Sequence, residues 1–119
     1  MSRKLVDFNI VNGNLQITLL PEGRTELLEL QESKPANYLN TDQCFGELIE
    51  YQLGNGWEYV QPEEVGALTD GVLLTNDSQR DDHGKLLKIG RVFWDSNYQV
   101  RSAVKDLLED GVTTFVGRE

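Results

Sequence analysis

The chain has 119 residues, 39% of them hydrophobic, with eleven Lys and Arg against twenty Asp and Glu for a formal net charge of −9. That is enough apolar material for one core and too short for two large domains, so a single domain over residues 1–119 is expected, not a disordered acidic chain. The charge also argues against non-specific nucleic-acid binding, which needs a basic stripe; the only local group of cations is Lys85, Lys88 and Arg91.

Residues 5 to 11 alternate in polarity, and Asn12-Gly13-Asn14 tolerates positive φ before Leu15 to Leu20, which is the pattern of a β-hairpin. Pro21 suits a first helical turn and Thr25 to Glu32 is rich in helix formers. A helix is therefore expected, with Glu22, Glu26 and Glu29 on one face opposite the leucines. Ser33 to Asn40 reads as a connection. Asn40 can cap a second helix, with Gln43 reaching back; Phe45, Leu48, Ile49 and Leu53 form its apolar face and Gly54-Asn55-Gly56 its stop. Trp57 to Val60 is a short strand with Trp57 and Tyr59 on one side, and Pro62-Glu63-Glu64 opens a helical turn whose acids sit at the positive end of its dipole.

Val72 to Thr75 follows as a strand, Asn76 to Gly84 as a polar loop, and Leu86 to Trp94 as a strand pairing back across that loop. Ser96 and Gln99 make a capping box for a helix bearing Val100, Val104, Leu107 and Leu108, stopped by Gly111 before a last strand, Val112 to Val116. The order β-β-α-α-β-β-β-α-β, with hairpins at both ends, implies an α+β fold. Its mostly antiparallel sheet has about five or six strands, with two or three helices packed on one face.

No apolar run reaches the roughly 18 residues that span a membrane. The basic Arg3 and Lys4 are followed by a stretch interrupted at Asp7, where a signal peptide needs an unbroken apolar core. Cys44 is alone, so no intrachain disulfide can form. These features imply a cytoplasmic chain, and Cys44 reads as a half-buried structural residue.

One histidine constrains the chemistry: any His-dependent triad, two-His zinc site or Cys–His pair uses His83 or does not exist. His83 falls in the Asn76 to Gly84 segment, whose composition is that of a solvated turn. Asp77, Asp81, Asp82 and His83 are weak candidates for a divalent cation, and an EF-hand is excluded because Asp82 and Lys88 stand at its sixth and twelfth positions. Neither G-x-S-x-G, a P-loop nor a dinucleotide fingerprint is present. The carboxylate pairs Glu63/Glu64 and Asp81/Asp82 are adjacent in sequence and so point apart, a poor basis for acid–base catalysis. No cofactor is expected.

Phe93 and Trp94 are consecutive in a strand and face opposite sides, so one of them needs cover from a loop, a helix or a partner; Tyr98 or the last helix is the expected cover. A non-catalytic binding module is therefore favoured over an enzyme: an accessory, regulatory or inhibitor protein steered by its charge toward a basic protein partner. A sharper version makes it a mimic of nucleic-acid charge, of the kind small phage or mobile-element inhibitors use. The candidate contacts are Trp94, Tyr98, Asp81, Asp82, Glu22, Glu26 and Glu29. A metal-dependent hydrolase using the Asp77 to His83 loop is the first alternative. The second is a self-associating structural component, a homodimer paired through an edge strand such as Val112 to Val116.

Overall fold

The computed structural model describes residues 4–33, 42–50, 53, 55–67 and 71–118, with the backbone alone for 31, 42–45, 97, 98 and 101. The first hairpin joins β1 (Val6–Val11) to β2 (Asn14–Leu19) through Asn12 and Gly13, whose φ values of 53° and 81° are those of a two-residue turn matched to strand twist. Two helices follow, α1 (Pro21–Ser33) and α2 (Asp42–Glu50), then β3 (Glu58–Val60) and a 3₁₀ turn, Pro62–Val65. The second half contains β4 (Val72–Thr75), β5 (Ser78–Arg80), β6 (Leu86–Ile89), β7 (Val92–Asp95), α3 (Asn97–Asp110) and β8 (Val112–Arg118).

Six strands form one sheet in the order β1-β2-β8-β7-β4-β3, and every neighbouring pair is antiparallel. The three helices pack against it, so the α+β class expected from the pattern of elements is the fold observed. Helix α3 begins where Ser96 Oγ accepts a bond from the Gln99 amide at 3.1 Å. It ends at Gly111, with φ of 76° and its amide on the Leu107 carbonyl. Its Val100, Val104 and Leu107 are buried with Leu15, Ile17, Leu74, Phe93 and Phe115 of the sheet and with Leu27, Leu48 and Ile49 of α1 and α2. Phe93 and Phe115 are fully buried, and truncating either to Ala costs about 3–5 kcal/mol.

Three expectations need correction. Residues 76 to 84 are not all loop, since Ser78–Arg80 is a strand pairing with Leu86–Ile89 in a separate two-stranded sheet. The stretch from Leu86 to Trp94 is broken at Gly90: its first half pairs with β5 and only its second half, β7, returns to β4. The last strand is no edge. It runs to Arg118 between β2 and β7, pairing with β2 over Val112–Phe115 and with β7 over Val116–Arg118, while β1 and β3 form the margins. The Asn40 cap and the side chains of Phe45 and Cys44 fall outside the described residues. No helix among those described is long and apolar enough to cross a membrane.

Candidate binding site

Side chains alternate along a strand, and register partners share a face. Phe93 pairs with Gly117 and Leu74 and lies under the helices, so Trp94, paired with Val116 and Leu73, projects from the opposite face. Leu73 in turn pairs with Val60, which makes Val60, Leu73, Trp94 and Val116 one row across that helix-free face. Exposure changes sharply along the row: Val60 and Leu73 are 3% exposed and Val116 is 51% exposed. The covered end lies beneath the 3₁₀ turn and the β5–β6 hairpin. A cavity of about 420 Å³ opens there. It is lined by Val65 and Ala67 at the turn, Leu73 of β4, Ile89 and Gly90 at the end of β6, Val92 and Trp94 of β7, and Arg118 of β8.

Arg80 of β5 holds the hairpin in place. Its guanidinium bonds Glu64 through two nitrogens, at 2.6 and 3.1 Å, and Glu58 of β3 through Nε at 3.1 Å, while Nη1 also donates to the Gly84 carbonyl at 2.9 Å. Ser78 Oγ donates to the other oxygen of Glu58. Forked pairing of this kind fixes orientation as well as charge. It holds the Glu64 carboxyl below the ordinary carboxylate range, helped by the bond from the Gln61 amide at 3.1 Å, and it raises the Arg80 guanidinium further. At the base of the hairpin, buried Thr75 donates to the Arg91 carbonyl at 2.9 Å and accepts from the Asp77 amide at 3.1 Å, joining the point where the chain leaves β4 to the point where it enters β7.

The Arg118 guanidinium lies 4.8 Å from the Trp94 ring centroid, over its face. The indole Nε1 is buried with no hydrogen-bond partner among the described residues, against Gly71, where a Cβ would come within 2.9 Å of it. Trp94 is therefore covered by Arg118 and the adjoining loops; the expected cover from α3 is ruled out because that helix lies on the Phe93 face. The other tryptophan does turn inward: Trp57 meets Phe8 edge-on at 5.0 Å and Phe93 at 5.7 Å.

Comparison with protein families, curated proteins and solved structures gives no match.

The residues singled out from sequence do not form one site. Trp94 is on the helix-free face, whereas Glu22, Glu26 and Glu29 are on α1 in the helical layer. Asp81 and Asp82 lie in the β5–β6 turn, and the Tyr98 side chain falls outside the described residues. Asp81 has a structural task, its Oδ1 accepting from the His83 and Lys85 amides, both at 2.9 Å, while Asp82 and His83 are exposed at the tip. Asp77, Asp81, Asp82 and His83 do not gather, and no three His, Cys, Asp or Glu side chains among the described residues are placed to hold a metal ion. Sequence reading missed Arg80 and Arg118. Carrying the alternation of Thr114 and Val116 one step further would have put Arg118 on their face of the strand, but its place beside Trp94 depends on the pairing of β7 with β8, and no local signal links Arg80 to Glu58 and Glu64.

The carboxylates, evenly spread along the chain, are unevenly spread in space. Residues 1–60 carry four cations and nine acids, and residues 61–119 seven and eleven. Yet α1, α2 and α3 together contain ten acids and three cations, a net of −7 out of −9. Glu22, Glu29, Glu32, Glu47, Glu50, Glu109 and Asp110 of this layer are exposed.

Proposed function

We propose that the protein works by binding, not catalysis, and that its helical layer is the surface offered to a basic protein partner. The observation that carries this reading is the concentration of charge: −7 of the −9 resides in three helices packed side by side on one face of the sheet. Solubility alone has no need of such segregation. A one-sided negative field steers association with basic surfaces and weakens with salt. In its sharper form the partner is a nucleic-acid-binding protein whose phosphate-contacting surface the helices occupy.

The test compares the protein with its E22Q/E26Q/E29Q variant as bait in lysate at low and high salt, read by mass spectrometry. The expected result is a basic protein captured by the parent at low salt, lost at high salt and lost by the variant. Capture that is indifferent to both salt and these three carboxylates removes the support for an acidic contact surface.

A further inference from the structure

The geometry points to a second, separate binding site: the cavity beneath the β5–β6 hairpin takes a small organic monoanion, an apolar body bearing one carboxylate that pairs with Arg118. The volume of about 420 Å³ falls within the roughly 300–1,000 Å³ of clefts that hold small molecules. Leu73, Ile89, Val92 and the Trp94 ring supply apolar walls, so the body of the ligand must be apolar or aromatic. Arg118 is the only charged group among the described lining residues, and no described carboxylate lies within ion-pair distance of it.

Its position over Trp94 holds the guanidinium fork at the wall of the cavity. A planar fork of this kind takes a carboxylate through two parallel bonds. Among the described lining residues Arg118 is the one cation, and one cation balances one negative charge, which favours a carboxylate over a phosphate dianion. The chain's overall acidity does not oppose this. The helices holding −7 of the charge lie behind the sheet, and everything outside them sums to −2, with exposed Lys88 on β6 of the covering hairpin. This inference does not depend on the helical contact surface, since the two lie on opposite faces.

The experiment titrates the isotopically labelled full chain with phenylbutyrate and, separately, with phenylbutanol, which has the same apolar body and no charge. Amide shifts of Gly90, Val92 and Arg118 and the indole signal of Trp94 are followed. Phenylbutyrate is expected to move these signals and to bind at least about tenfold more tightly than the alcohol. Arg118→Gln is expected to bring the acid down to the affinity of the alcohol and leave the alcohol unchanged, and Arg118→Lys to restore part of the difference. Arg118 is exposed and its one described side-chain contact with the fold is the Trp94 ring, so both variants should stay folded, with a melting temperature at most a few degrees below the parent's. Equal binding of acid and alcohol, a preference that survives Arg118→Gln, shifts confined to other parts of the chain, or no shifts at all would each overturn the assignment.

Discussion

Two single residues show how the backbone and its charges constrain substitution. Gly23 lies within α1, where alanine is intrinsically better by about 1 kcal/mol. A Cβ there would press on the Leu5 carbonyl oxygen, which already accepts the Leu20 amide at 3.0 Å. The steric effect should win, and Gly23→Ala is expected to destabilise the protein by about 1–3 kcal/mol, read as a lower urea midpoint at unchanged slope. Asp95 works in the other direction. Burial raises its carboxyl above the usual range, the nearby Asp106 adds to this, and a bond from the Ser96 amide at 3.1 Å only partly offsets it. Since the folded value exceeds the unfolded one, stability linked to this group is present at acid pH and lost as pH rises through the folded value. Asp95→Asn keeps an acceptor for Ser96 and removes the charge. Its melting temperature should exceed the parent's at neutral pH, with the difference closing on acidification below the ordinary aspartate range.

Among the elements, those with a strong local signal were legible and those made by partners were not. The first hairpin and α3 announce themselves through Asn12-Gly13, Ser96 and Gly111, because turn and cap geometry depend on a few neighbouring atoms. Ser78–Arg80 has no apolar alternation and becomes a strand only through β6 and the bonds of Ser78 and Arg80 to Glu58 and Glu64. The break between β6 and β7 has the same origin. Gly90 donates to the Asp77 carbonyl at 2.7 Å, and a side chain there would run into Asp77, a contact distant in sequence. The cavity went unseen in the sequence because it is formed by these elements. The hairpin's attachment can be tested directly. Arg80→Ala should speed amide exchange of Gln79 and Lys88 while leaving Phe93 and Phe115 protected; an equal rise at all four positions would mean that the hairpin is not a separate unit of opening. In the parent, the Glu64 contribution holds above the ordinary carboxylate pKa and is lost as pH falls through its lowered value, so hairpin exchange should show an added acid-dependent opening.

At the scale of the whole molecule, the sheet separates most of the net negative charge from the cavity. Helices with a net of −7 cover one face, and the other presents Trp94, the cavity and exposed Val116. The sequence could not show this division, because acids evenly spaced along a chain acquire a side only when α1, α2 and α3 come together. The central place of β8 bears on how the molecule reaches this state. It pairs Phe115 with Leu15 on one flank and Val116 with Trp94 on the other, so among the described strands it alone links the β1–β2 hairpin to β7, β4 and β3 by backbone pairing. Each flank can assemble from near neighbours, but uniting them requires closing a loop across almost the entire chain, the step that slows proteins rich in distant contacts. β8 is thus expected to set the folding rate. In stopped-flow refolding, Phe115→Leu should reduce the folding rate by most of its equilibrium effect, whereas an equally mild change at Ile10 on the outer strand should act mainly by hastening unfolding.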